Sequence, residues 1–401
     1  MPIPRLQPYD GPAILSSGFR PFFLFGAIWA AFSIILWLPE FFGEISIPTA
    51  FSPVDWHIHE MLFGFVPAIV TGFLFTAVPN WTGRMPLQGK TLGLLVALWL
   101  TGRLSVGFSE WIGWLPALLL DCAFLAAVIA VIAREIVAGR NYRNLKVLMP
   151  ATLLAVANLL FHLEAHFEGM SDLSRRLGFS AILILIMIIG GRIVPSFTRN
   201  WLARENPGRL PVPFNRFDLA TMSVAVLALG GWVLAPDSAI TGTLLVAAAA
   251  GQGLRLARWA GDRAWRDPLV AVLHTSYGFL VLGFTLLGCS ILLPEIFSYT
   301  AALHVLAIGA IAGMILAVMV RASRGHTGQA LMAGRSGRLS FTAIAVAVAA
   351  RVAAEYFPST AFAWYHTAAL AWAVAFLAYA MAFAPALFRP RRAGRQAGAN
   401  T

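Results

Sequence analysis

The sequence predicts an all-α, polytopic membrane bundle of about twelve transmembrane helices with both termini in the cytoplasm. Three observations predict it. Of 401 residues, 59% are hydrophobic and 12% charged, against about 45–50% and about 25% in soluble domains. The mean hydropathy is +0.76, and so few charges cannot cover a water-facing surface. Apolar stretches of bilayer-spanning length recur along the whole chain, and the basic residues collect on alternate loops between them.

Taken in order, the first apolar segment, 19–38, follows an N-terminus with several prolines and no cleavage signature, and reads as a retained span. The second (58–79) and third (89–108) are parted by a turn with Gly83, Arg84 and Lys90. The fourth (111–134) and fifth (147–166) flank a basic loop from Arg134 to Lys146. The sixth (175–197) contains Arg192. The seventh (215–234) and eighth (238–257) meet at a short Pro-Asp turn, and the eighth contains Gln252 and Arg255. Pro268 opens the ninth (268–293). The tenth (299–320) carries Gly309 and Gly313 in a GxxxG spacing suited to close helix contact. The eleventh (338–354) contains Arg351, and the twelfth (363–387) ends before an arginine-rich tail. The eighth and eleventh are the weakest. No gap between segments is long enough for a soluble domain, so 1–401 reads as a single integral membrane domain.

Basic residues test this count. With the loops numbered alternately from the N-terminus, the 29 Lys and Arg residues fall on one side, except Arg103, Arg175, Arg176 and Arg351 opposite and Arg192 within the sixth span. The positive-inside rule makes the crowded side cytoplasmic. The net charge of +11 is then a solvated cytoplasmic face facing a lipid bilayer, not a nucleic-acid surface. Two cysteines, Cys122 and Cys289, both in apolar stretches, exclude a disulfide framework and any CxxC metal site.

The same topology gathers the histidines. His57 and His59 open the second span, His162 and His166 end the fifth, and His304 and His366 lie near the starts of the tenth and twelfth. Six of eight histidines thus share the outer third of the membrane; only His274 and His326 lie on the cytoplasmic side. Ionisable residues in a bilayer are costly and are functional candidates, and imidazoles from several helices at one depth suit a metal or haem. The competing reading is a set of helix–helix hydrogen bonds. His162 and His166, at i and i+4, share a helix face and suit one metal. His57 and His59 are about 200° apart on an ideal helix, so His59 is taken as the inward ligand and His57 as an interfacial or second ligand. Imidazole suits haem iron and copper. Glu60, Glu164 and Asp121 lie at the same level, placed to accept the second N–H of a ligating histidine. Arg103 and Arg351 are candidates for haem propionates, with snorkelling to the interface as the alternative.

Several motifs resemble one family. Gly18-Phe19-Arg20-Pro21-Phe22-Phe23-Leu24 is followed by Trp56-His57-Ile58-His59-Glu60-Met61-Leu62-Phe63-Gly64 and by Phe75-Thr76-Ala77-Val78-Pro79-Asn80-Trp81-Thr82-Gly83. Later come His304 with Gly309-Ala310 and Gly313-Met314, then Leu316 through Arg321, and Gly325-His326-Thr327-Gly328. In this order they resemble the NnrS family over essentially the whole chain. The resemblance implies a haem- and copper-containing protein of the bacterial inner membrane, linked to nitric oxide metabolism, denitrification and nitrosative stress.

A looser similarity joins it to haem–copper oxidases and nitric oxide reductases, whose haem-ligand histidines lie on the second and tenth of twelve helices. His59 and His304 fall there. The chain lacks the adjacent His pair on the seventh span, the His-x-x-x-Tyr on the sixth and the second histidine on the tenth, so a full binuclear centre is not expected. With no CxxCH, the haem is expected to be b-type, held by His59 and His304. Copper is expected at His162 and His166 with His366 as third ligand. The ligand is expected to be nitric oxide or a related small molecule; whether it is turned over as by an enzyme stays open. The alternative is a transporter or assembly factor handling haem, copper or an iron–nitrosyl species.

Overall fold

A computed structural model of the chain describes residues 9–391. Among these residues there is no strand, and twelve long helices carry the fold. They are α1 (Phe19–Phe41), α2 (Pro53–Thr82), α3 (Gly89–Gly107), α4 (Trp114–Ala138), α5 (Leu148–Phe167), α6 (Asp172–Glu205), α7 (Arg216–Leu234), α8 (Ala239–Ala257), α9 (Pro268–Leu292), α10 (Tyr299–Thr327), α11 (Gly334–Tyr356) and α12 (Ala361–Leu387). Eleven are long and apolar enough to cross a membrane; α3 is not in that set. The weakest segment is therefore the third, not the eighth or eleventh, because Lys90 and Arg103 interrupt a 19-residue helix.

Helix ends depart from the expected bounds for local reasons. The fourth segment starts at Trp114, not at 111, because Gly113 has φ +90° and separates it from a one-turn helix, Ser109–Ile112. Only glycine enters that region cheaply. α6 runs for 34 residues, about 51 Å at 1.5 Å per residue, well beyond the ~30 Å hydrocarbon core. Its last turns carry Arg199 and Arg204 out of the apolar layer.

Side-chain contacts sort the loops into two ends. At one end the buried Arg20, at the start of α1, donates from Nη1 to the carbonyls of Leu387 at 2.7 Å and Arg389 at 2.8 Å. This places a guanidinium on the unsatisfied carbonyls that close α12. The same end joins Gln88 to the Ser16 carbonyl, Asn141 to the Trp81 carbonyl, and Arg209 to Asp262. At the other end Ser109 binds the Ala50 amide, Ser171 binds Asp55, and Ser298 binds Glu355. Each long helix, α3 included, runs from one end to the other, so the first and last described residues lie at the same end of the bundle. Reporter fusions after α12 and in the loop at Asp237 should therefore report opposite sides of the membrane. Finding both on one side would overturn this topology.

Two helices depart from regular α geometry at the same relative place. A π-helical turn, Glu60–Phe65, begins one residue after His59 in α2. A second, Val305–Ala312, begins one residue after His304 in α10. Such turns release a backbone carbonyl from the ladder and are frequent at functional sites. The Gly64 carbonyl accepts from Trp99 Nε1 of α3 at 2.9 Å. In α10, a Cβ at Gly309 would meet Phe279 and one at Gly313 would meet Ser276, so the GxxxG face lies against α9. One contiguous apolar core fills the space between the helices.

Candidate functional site

Next to the π turn of α2 lies a buried polar cluster built from five helices. His59 and Glu60 come from α2, Arg103 from α3, Asp121 from α4, Asn158 and His162 from α5, and Trp29 from α1. His59 and Glu60 have no exposed surface, and Arg103, Asp121, Asn158 and His162 are also buried. Arg103 Nη1 donates to Glu60 Oε1 at 2.7 Å and Oε2 at 2.8 Å, while Nη2 pairs with Asp121. Trp29 Nε1 donates to Glu60 Oε2 at 2.7 Å, and Asn158 Nδ2 to Asp121 Oδ2 at 2.7 Å. Gly64 makes room for this arrangement, since a Cβ there would sit 2.5 Å from Arg103 Nη1.

His59 Nδ1 lies 3.0 Å from Glu60 Oε1, and its Nε2 lies 3.1 Å from Asn158 Oδ1 and 3.2 Å from Asp121 Oδ2. His162 Nε2 lies 3.2 Å from the same Asp121 oxygen. Each ring nitrogen of His59 thus faces an acceptor, although a neutral imidazole has one donor. Formal charge is short by the same amount: two carboxylates stand against one guanidinium. A buried charge left uncompensated is expensive, so the cluster is built for one more positive species. One ligand atom each from His59, Asp121 and His162 lie within 4.8 Å of one another, close enough to hold a metal ion. With a cation on that side, His59 Nδ1–H remains free to donate to Glu60, the carboxylate–histidine–metal pattern that fixes the tautomer of a ligating imidazole.

The opposite face of the same turn of α2 looks into a cavity of about 400 Å³ between α1, α2, α6, α7, α10, α11 and α12. His57 and His304 both line it, together with Arg175, Arg176 and Arg351. Its walls are otherwise apolar and aromatic, with Trp37, Phe65 and Trp372 among them. His57 stacks on Trp37 with ring centroids 4.2 Å apart, and its Nδ1 is buried without a partner. Trp37 is held in turn by donation from Nε1 to the Pro53 carbonyl at 2.8 Å. His304 Nδ1 donates to the Thr300 carbonyl at 2.8 Å, which leaves its Nε2 as the ring nitrogen with a free lone pair. The volume falls within the roughly 300–1,000 Å³ of cofactor and ligand sites. Two imidazoles, aromatic walls and arginines at one end fit a haem.

Several expected groupings are corrected by this arrangement. His59 and His304 do not share a site: His59 turns into the polar cluster, and it is His57 that meets His304 at the cavity. Arg103 is clamped between Glu60 and Asp121, so it is not available to a propionate, whereas Arg351 does line the cavity. His162 and His166 part company. Four residues, about 6 Å of rise, carry His166 past Asp121 to an exposed stack on Trp114 with centroids 4.0 Å apart. His366 is exposed and stacks on Phe42, away from either histidine. Glu164 binds Ser174 Oγ at 2.6 Å at the start of α6 and serves no histidine. At the other end of the bundle His274 Nε2 lies 2.8 Å from Thr198 Oγ1, and His326 packs on Phe19. Arg175 and Arg176 were missed as site residues. Their signal was present, since they are half of the small outer basic set.

Fold and site together define a polytopic membrane protein with a metal-capable histidine–carboxylate cluster sunk among its helices. A family model described as NnrS protein matches residues 13–391. The chain belongs to the NnrS family. No curated protein matches it.

Proposed function

We propose that this protein is a haem- and copper-binding protein of the bacterial inner membrane that handles nitric oxide, in nitric oxide metabolism or in protection against nitrosative stress. The observation that carries the reading is the turn 57–59 of α2. It sends one imidazole into a haem-sized cavity and another into a histidine–carboxylate cluster two residues away. A haem, when bound, supplies an iron that takes nitric oxide and exchanges single electrons. His57 and His304 would hold it, with Trp37 fixing the plane of His57 and the Thr300 carbonyl fixing the tautomer of His304. The aromatic walls exclude water from the ring. His59, Asp121 and His162 would hold copper, because two imidazoles and a carboxylate are an N,O set suited to that ion. Glu60 orients His59, and Arg103 holds both carboxylates in place. The side with Arg20, Arg209 and Arg389 is assigned to the cytoplasm by its basic residues, and both candidate centres then lie in the outer half of the membrane.

The competing reading, a transporter or assembly factor, is favoured by discontinuous helices at the midplane. α2 and α10 instead continue through their π turns, which supports a fixed centre. Metal analysis of purified protein tests the copper assignment. His59→Ala or His162→Ala is expected to reduce copper to about background, while His166→Ala and His366→Ala keep wild-type occupancy. Full copper in the His59→Ala/His162→Ala double variant would remove the site from this cluster.

A further inference from the structure

The cavity is polar at one end only. Of its lining residues, His57, Arg175, Arg176, His304 and Arg351 sit near the helix ends where Asp172 and Glu355 pair with Arg175 and Arg351, while Phe65, Val66, Ile308 and Ile311 lie further along α2 and α10. The three guanidiniums are not equivalent. Arg175 pairs with Asp172 one turn earlier in the helix. Arg351 Nη1 binds Glu355 Oε1 at 2.5 Å and lies over the Tyr365 ring. Arg176 has no carboxylate or hydrogen-bond partner among the described residues, and its Nε is buried without one. Arg176 is half-buried, and a guanidinium on a cavity wall with a buried, unpartnered Nε and no carboxylate beside it is open to an anion that a ligand supplies.

We propose that Arg176 is the anchor for a carboxylate of the cavity's ligand, so that the cavity selects an amphipathic, largely planar ligand bearing acid groups on one edge. The acid edge faces the outer end, and the apolar edge faces the bundle centre. Arg175 and Arg351 already hold carboxylates of the protein and contribute field, not the primary contact. This inference rests on the haem reading and deepens it, because a porphyrin with two propionates has this shape and charge. Guanidinium matches carboxylate geometry with two parallel N–H donors.

Chemical deletion of the ligand's charge tests the proposal without any variant. Apo-protein in detergent is titrated with ferric protoporphyrin and with its dimethyl ester, and absorbance of the bound form is read. Wild type is expected to bind the diacid about 10–100-fold more tightly than the ester, the range of a charge-assisted hydrogen bond. Arg176→Leu is expected to lower diacid affinity to the ester level and leave ester affinity within about twofold. Arg176→Lys, which keeps the charge but not the fork, should fall between. Equal binding of diacid and ester by wild type overturns the anchor while leaving the haem site standing. An Arg176→Leu protein that keeps the full preference also overturns it and moves the contact to Arg175 or Arg351. If wild type binds neither porphyrin, the haem reading itself fails, and the anchor fails with it.

Discussion

Purified His57→Ala and His304→Ala variants are expected to lose or shift the haem Soret band, while His59→Ala retains it. The argument is positional. His57 and His304 line one cavity, and each has its ring held from outside it, His57 by the Trp37 stack and His304 by the Thr300 carbonyl. A ligating imidazole prepared in this way has a defined plane and a defined donor nitrogen. His59 points across the helix to Glu60, Asp121 and Asn158 and has no surface on the cavity. The pair of variants at 57 and 59 therefore separates a haem ligand from a neighbour only two residues away. An unchanged spectrum in both His57→Ala and His304→Ala would sink the cavity assignment. Loss of the band in His59→Ala alone would return the haem to the pair expected from helix position.

Arg103→Met is expected to be the most damaging single change in the polar cluster. Among the described residues Arg103 is the only guanidinium that pairs with Glu60 and Asp121, and all three are buried. Its removal leaves two buried carboxylates without a fixed counter-charge, and breaking such a pair costs about 3–5 kcal/mol. Much reduced yield or a clearly lowered unfolding temperature in detergent should follow. Adding Glu60→Gln removes one of the stranded charges, so the double variant should recover part of the loss, a non-additivity expected of groups in direct contact. Copper added before heating should protect Arg103→Met more than wild type if a cation enters this cluster. A wild-type melting curve for Arg103→Met would show that the cluster is not held together by charge.

Some of this was legible in the chain itself. Glu60 and Asp121 stand out in sequence as carboxylates inside apolar segments, and each is found against a histidine. The coincidence of His57, His59 and His304 with the ends of the second and tenth spans also placed these three near one end of the bundle. The partnership between them did not follow. A rotation of about 100° per residue shows that His57 and His59 face different ways, yet it does not say which face meets the cavity. His162 and His166 show the opposite failure. Their i, i+4 spacing is a genuine shared face and α4 lies against both turns, but it offers a carboxylate, Asp121, only to the inner one. Trp114 claims the other.

By itself the sequence determined the all-helical bundle, the places of its spans and the two-ended distribution of charge. These follow from local runs of apolar residues, because a bilayer admits few other structures with every backbone group satisfied. The tertiary structure alone decided which imidazoles share a site, that Arg103 is a structural clamp, and that Arg176 faces the cavity without a counter-charge. Those facts depend on which helix faces which across the bundle. The partners are far apart in the chain, and nothing in the spacing of residues within one helix encodes the rotation or the tilt of its neighbour.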